Sequence, residues 1–238
     1  TPVLGVVYHV NPRLNLYANA GKGFETPTFI ELAYRAGGQS GLNFALQPST
    51  SRNYEVGAKS LLGDTTRVNA ALFHVVTDDE IVTDSTSNGR TVYANAGKTK
   101  RKGLEVSMDS QPLDNQNVSL AYTLLDAKFE DSYTNSTGLV PSGNKIPGAP
   151  RNTFFGEVAW KHPASGFSTA LEARYNSKVY VDDRNSDAAE RYTIFNLRAG
   201  FEQRLGGVRL SEFLRIENIG DKDYVGGVTV HYANGSYF

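Results

Sequence analysis

Cysteine is absent, and methionine and tryptophan occur once each. Without thiols there is no disulfide framework, no thiolate metal site and no cysteine nucleophile, which excludes zinc fingers and papain-type hydrolases. An excess of charge of one sign is lacking too. Lys plus Arg number 24 against 25 Asp plus Glu, a formal net charge of −1, so no overall basic field is available to hold nucleic acid. Hydrophobic residues make up 39% and mean hydropathy is −0.38. No stretch approaches the roughly 20 uninterrupted apolar residues of a membrane helix. That excludes a transmembrane helix but not a membrane location, because a closed β-barrel satisfies its backbone internally and shows only a weak alternating signal. The chain opens Thr1-Pro2-Val3 with no initiator Met and no charged-then-apolar leader, so it is expected to be a fragment with any targeting segment elsewhere.

What is present favours strands. The 23 Gly, 13 Tyr and 12 Phe are accompanied by many Val and Thr, and residue types alternate along the chain. About ten strands are predicted. Over 167–179, Phe167, Leu171, Ala173, Tyr175 and Val179 share one parity while Glu172, Arg174, Asn176 and Lys178 share the other. Phe195, Leu197, Ala199 and Phe201 oppose Asn196, Arg198 and Glu202 in the same way. Phe154, Val158 and Trp160 oppose Glu157 and Lys161, and Leu104, Val106 and Met108 oppose Arg101 and Glu105. Weaker alternation predicts further strands over 3–10, 14–24, 51–62, 67–76, 118–129 and 208–218. In the last of these Glu212 falls among apolar residues and Phe213 among polar ones, so a bulge or shifted register is one reading there.

The connections alternate between two kinds. Short ones fall at Asn11-Pro12-Arg13, Leu62-Gly63-Asp64-Thr65, 111–115, Pro163-Ala164-Ser165-Gly166 and Arg204-Leu205-Gly206-Gly207, all rich in turn formers. Long polar ones fall near 25–50, 77–97, 132–150, 181–190 and 219–238. An antiparallel sandwich gives the same alternation within strands. Sandwich strands, however, are usually about 5 to 6 residues long, whereas several of these reach the length a tilted strand needs to cross a bilayer. Long strands trimmed at one end and elaborated at the other predict an all-β, antiparallel transmembrane barrel with turns on the periplasmic side and loops outside.

Five segments carry a resemblance to a known family. They are the strand and loop start running from Asn15-Leu16-Tyr17 to Thr26-Pro27, and Leu46-Gln47-Pro48 leading into Tyr54-Glu55-Val56-Gly57. The others are Asn95-Ala96-Gly97 followed by Lys102-Gly103-Leu104-Glu105-Val106, Ile146-Pro147-Gly148-Ala149-Pro150-Arg151-Asn152, and Glu217-Asn218-Ile219-Gly220-Asp221-Lys222-Asp223-Tyr224. Together and in this order they resemble the C-terminal barrel half of TonB-dependent outer-membrane receptors of the siderophore-receptor type. The resemblance implies a 22-stranded barrel plugged by an N-terminal domain. Of that barrel residues 1–238 would supply about ten strands, without plug, coupling box or closing strand, ending in the last extracellular loop. It implies an outer-membrane receptor that imports a scarce metal chelate, most often a ferric siderophore, with energy from the TonB complex acting through the N-terminal region.

Transport of this kind needs no catalytic residues and no cofactor; the barrel offers groups complementary to a chelate. Arg and Lys supply charge for an anionic ligand, and Tyr supplies stacking and hydrogen bonds. The candidates are Tyr34 and Arg35 in the first long loop, Arg90 and Tyr93 in the second, Tyr133 in the third, Arg184 in the fourth, and His231 with Tyr232 in the fifth. The bland alternative for each is a solvated loop residue or a member of the interfacial aromatic girdle. Asp78-Asp79-Glu80 and Asp182-Asp183 are acidic pairs or runs without the spaced ligands of a calcium loop, and no metal is assigned to them. The four His are far apart in sequence, Gly21-Lys22-Gly23 and Gly206-Gly207 lack the helix of a phosphate cradle, and Asn135-Ser136-Thr137 is a bare glycosylation triplet. Two other classes stay open: a small outer-membrane barrel enzyme, a protease or lipase, whose acid–base groups would be Asp78, Asp79, Asp182, Asp183 and His231 at one rim, and a soluble all-β binding module.

Overall fold

The computed structural model describes residues 1–87 and 89–230. The chain runs through β1 (Val3–Asn11), β2 (Leu14–Glu25), a single helical turn α1 (Phe29–Leu32), β3 (Ser49–Leu62), β4 (Thr66–Asp78), β5 (Ile81–Ser87), β6 (Arg90–Asn95) and β7 (Thr99–Leu113). It continues through β8 (Gln116–Phe129), β9 (Tyr133–Asn135), β10 (Gly138–Val140), β11 (Asn152–Lys161) and β12 (Phe167–Asn176). The last elements are β13 (Val179–Tyr180), β14 (Ala188–Ala189), β15 (Tyr192–Leu205) and β16 (Val208–Ile216). Ten strands form one meandering antiparallel sheet in the order β1-β2-β3-β4-β7-β8-β11-β12-β15-β16. The remaining six pair as the hairpins β5–β6, β9–β10 and β13–β14, each inside a long connection. Every long connection therefore lies at one end of the sheet and every short turn at the other. Among the described residues the sheet has two open edges, β1 and β16, and so forms a section of barrel wall.

Register explains which face is which. Leu72 pairs with Leu104 and Leu104 with Leu124; Val158 pairs with Leu171, and Leu171 with Leu197. Because strand side chains alternate with a period of two, these rows cover one face of the sheet. It is the exposed face: Leu72 is 56% accessible and Leu171 50%. On the opposite face Glu172 is 5% and Asn196 4% accessible. A single-layer sheet can shelter one face this way only by curving around it, so the ionic side chains lie on the concave side. A soluble domain does the reverse, and an apolar surface of this extent is not left in water. The wall is an antiparallel section of a transmembrane barrel, apolar outside and ionic within. Tyr54 and Phe154 edge the apolar band toward the loops, and Trp160 with Phe167, rings 6.3 Å apart, edges it toward the turns, in the manner of aromatic girdles.

On the concave side two glycines admit an aromatic ring from the neighbouring strand. Tyr17 pairs with Gly57 and Phe73 with Gly103, and a Cβ at Gly57 would lie 2.5 Å from the Tyr17 ring. At Gly103 a Cβ would meet both Phe73 Cζ at 2.5 Å and the Leu124 carbonyl oxygen at 2.2 Å. The ring covers the bare backbone and sets the strand pairing.

The sequence expectations differ from the structure in three places. The strand predicted over 167–179 ends at Asn176, where the Asn152 backbone exchanges hydrogen bonds with Ser177: Asn152 N–H donates to Ser177 Oγ at 2.9 Å and Ser177 N–H to Asn152 O at 2.9 Å. Strand β7 runs on through Pro112 and reaches a tight turn at 114–115; the register shifts between Ser110 and Leu113, where proline has no N–H to give. In β16 there is no bulge, since pairing with β15 is unbroken from Leu197↔Ile216 to Leu205↔Val208. Glu212 thus stays on the apolar face opposite Phe201, and Phe213, on the open edge strand, is 82% accessible.

Candidate ligand-binding face

The small dry core of the molecule is in the loops. Ala96, Phe129 and Val140 are completely buried, with Val82, Tyr133 and Ile146 packed around them. These residues come from the connections 79–98 and 130–151 and from the end of β8, so two long loops share one apolar cluster. Polar locks extend it. Asn95 and Gln47 exchange two hydrogen bonds: Gln47 N–H donates to Asn95 Oδ1 at 2.8 Å and Asn95 Nδ2 to Gln47 O at 2.9 Å. Asn185 does the same with Lys145, at 2.7 and 2.8 Å, from a left-handed backbone (φ 55°) that asparagine tolerates well. Ser136 binds Asp84 through its N–H at 2.9 Å and its hydroxyl at 2.7 Å. A side-chain amide that imitates a backbone pair holds a loop without needing a strand.

At the centre of the third and fourth loops the Tyr133 hydroxyl donates to Asp183 Oδ2 at 2.5 Å, and Asp183 is 2% accessible. Burial first, then the hydrogen bond to Asp183, pushes the Tyr133 phenol well above its ordinary range. The neutral phenol is favoured in the folded loops, so this contact contributes fully below about pH 10, the ordinary tyrosine value, and is lost as pH rises beyond it. Removing the hydroxyl in Tyr133→Phe leaves a buried carboxylate short of one donor, an expected local loss of about 1–3 kcal/mol. Hydrogen exchange should speed up in 130–150 and 179–189 while the sheet strands keep their protection. Equal exchange in both loops would show that the contact holds nothing.

The proposed ligand residues fall into two groups. The Arg90 guanidinium lies 5.5 Å over the Tyr34 ring, joining the first and second loops, and Arg35 adjoins Tyr34 on the exposed surface before the turn at Ala36–Gly38. Tyr93, on β6, is half-buried and its carbonyl accepts from Asn43 Nδ2 at 3.3 Å. Tyr133 and Arg184 lie in the second group; the Arg184 side chain is exposed and its Nη1 donates to Thr137 O at 2.9 Å. His231 and Tyr232 lie outside the described residues. Among the described residues Arg35, Arg90 and Arg184 have no carboxylate within ion-pair distance, whereas Arg101, Arg174, Arg198 and Arg215 on the concave face each have one. Among the described residues the loop end thus carries guanidinium groups without a carboxylate partner, one of them, Arg90, over an aromatic ring.

The acidic runs are used internally. Asp78 pairs with Arg52 at 2.7 Å and Lys98 at 3.7 Å, and Glu80 with Arg101 at 2.7 Å and the Thr99 hydroxyl at 2.8 Å. Asp79 takes a left-handed backbone, and its carbonyl accepts from Asn95 at 2.8 Å. Asp182 accepts from Ser186 Oγ at 2.8 Å. No group of three metal-ligating side chains occurs among the described residues. His162 sits in a short turn with Ser165, at the end opposite the acidic loops. Asn95, Asp183 and Asn185 organise the loops; the sequence offered Asn95 only within a family-like segment and Asp183 only as half of an acidic pair, and Asn185 was not singled out, although it lies in the turn-forming Asp-Asp-Arg-Asn-Ser run at 182–186.

Comparison with known proteins agrees with this architecture. A family profile described as "TonB dependent receptor-like, beta-barrel" matches residues 1–219. The ferrioxamine receptor of Yersinia enterocolitica is 29% identical over 187 residues, covering 76% of this chain and 25% of that protein. The vitamin B12 transporter BtuB of Photobacterium profundum is 26% identical over 244 residues, covering 99% of this chain and 36% of its own length. The crystal structure of the ferric citrate transporter FecA in the unliganded form superposes with a TM-score of 0.77 at 21% identity, over 100% of this chain and 35% of that one. The chain therefore spans about a quarter to a third of the length of these proteins.

Proposed function

The chain belongs to the TonB-dependent receptor-like β-barrel family, and from that premise we propose that the intact protein is an outer-membrane receptor that binds a metal chelate and imports it actively. The ligand class this reading favours is an anionic ferric siderophore. Its partners are the chelate, outer-membrane lipid and the TonB energy-transducing complex, and it involves no nucleic acid and no covalent catalysis by the barrel. The relatives bear names of transport receptors with different cargoes, ferrioxamine, vitamin B12 and ferric citrate, so the family alone does not select the ligand.

One observation carries the choice of an anionic cargo: Arg35, Arg90 and Arg184 lack carboxylate partners among the described residues at the loop end, with the Tyr34 ring under Arg90. Guanidinium groups free to form charge-assisted hydrogen bonds recognise carboxylate or catecholate oxygens, and an aromatic face supports a planar chelate. Arg90→Ala and Arg184→Ala in the intact receptor should each weaken an anionic ferric chelate by about tenfold or more, the size of a lost charge-assisted hydrogen bond. A neutral chelate should be unaffected, and added salt should shrink the difference. Equilibrium binding across a panel of chelates is the test; unchanged affinity in both single variants removes these arginines from the site.

A further inference from the structure

The outward, apolar face carries one feature that transport does not use. Near its loop end, register places Lys22 beside Arg52, Arg52 beside Val76, Val76 beside Lys100, and Lys100 beside Lys128. All share the face of Val56, Leu72, Leu104 and Leu124, which lie two positions nearer the middle of the strands than Tyr54, His74, Lys102 and Asp126. Lys98, Lys102 and Lys145 flank the row. The carboxylates in reach are fewer than the cations. Asp78 is shared by Arg52 and Lys98, Glu130 by Lys100 at 3.2 Å and Lys128 at 3.1 Å, and Asp126 is taken by Lys145. Lys22 and Lys102 have no carboxylate within ion-pair distance among the described residues. Like charges directly opposite one another on neighbouring strands are unfavourable, and here two such pairs, Lys22 with Arg52 and Lys100 with Lys128, stand in one line. Farther along the sheet the strands stop short of this level, β11 starting at Asn152 opposite Leu124, and their outward residues nearest the loops are Asn152, Tyr175 and Thr193, none of them charged, so the cations form a local patch over β2, β3, β7 and β8.

The geometry points to a binding surface for the phosphate groups of an outer-leaflet glycolipid. The patch is immediately above the lipid-facing band, where headgroups lie, and an anionic headgroup between paired cations removes their repulsion while its acyl chains lie along Val56, Leu72, Leu104 and Leu124. The inference rests on the proposed outer-membrane placement with the long loops outside. It concerns a different face from the chelate site, so the two fail separately.

The test titrates the detergent-solubilised intact receptor with lipopolysaccharide, with its dephosphorylated form, and with inorganic phosphate. Each cation near a charged membrane surface is worth about fivefold in affinity. The variant combining Lys22→Gln, Arg52→Gln, Lys100→Gln and Lys128→Gln should therefore bind lipopolysaccharide at least about a hundredfold more weakly. The charge-keeping pair Lys100→Arg and Lys128→Arg should bind as the unaltered receptor does, as should Lys59→Gln on the concave face. Retention of chelate binding by the four-site variant shows that it has folded; if it does not fold, Lys100→Gln with Lys128→Gln, expected to lose about twentyfold or more, takes its place. Undiminished binding by the neutralised variant, equal binding of dephosphorylated glycolipid, or displacement of lipopolysaccharide by millimolar inorganic phosphate would each overturn the inference. A receptor that binds the chelate and ignores lipopolysaccharide sinks this inference alone, and one that binds lipopolysaccharide but no chelate sinks the transport reading alone.

Discussion

Arginine in place of Leu171 should destabilise the assembled barrel by about 2–4 kcal/mol, the cost of a guanidinium near the middle of a lipid-facing wall. Leu171 lies mid-strand on β12, 50% accessible and flanked in register by Val158 and Leu197. Ser107 is mid-strand on β7, but on the concave face, where Asn69 Nδ2 donates to its hydroxyl at 3.2 Å. Ser107→Arg should cost less than about 1 kcal/mol, because water and neighbouring polar groups solvate the new charge there. Reversible unfolding of the intact receptor in lipid vesicles measures both. Equal penalties at the two positions would mean that the faces have been assigned the wrong way round.

The second large effect is expected at Gly103. A methyl group there would sit 2.2 Å from the Leu124 carbonyl oxygen and 2.5 Å from the Phe73 ring. The ring can turn aside, but the carbonyl belongs to the neighbouring strand's backbone and yields only if β7 and β8 separate. Gly103→Ala should cost about 1–3 kcal/mol, as overpacking does, and slow assembly from the unfolded state. In Gly103→Ala combined with Phe73→Ala the ring contact is gone but the carbonyl clash is not, so most of the loss should persist. Full recovery in the double variant would place the strain in the side chain.

Most of the wall was legible in the sequence, and the reasons are local. Alternation such as Phe195, Leu197, Ala199 and Phe201 against Asn196, Arg198 and Glu202 is imposed by a two-sided environment, and turns such as Gly63-Asp64-Thr65 carry their own chemistry. What local signals did not reveal is held by tertiary contacts. The hairpin β13–β14 has two residues in each strand, too few for a period, and it is fixed by Asn185 on Lys145 and by Gly148 N–H donating to Tyr180 O at 2.9 Å. Proline 112 reads as a turn residue, yet register with β8 carries the strand past it. At the candidate site, residue type alone selected Tyr34 and Arg90, but their stacking exists only because the first two loops fold together. Tyr133 was selected for the same reason, and its partner Asp183 comes from a different loop. Nothing in either segment announces that pairing.

The account depends above all on which way the two faces of β12 look. Since the chain has no native cysteine, Leu171→Cys and Glu172→Cys, each introduced into the intact receptor with any cysteine elsewhere replaced, can carry a fluorophore at adjacent positions of opposite parity. In vesicles containing brominated lipid, the label at 171 should be quenched by the acyl chains and that at 172 only by a water-soluble quencher. Quenching in the opposite sense, or water-soluble quenching alone at both positions, would contradict a barrel wall with its apolar side in lipid.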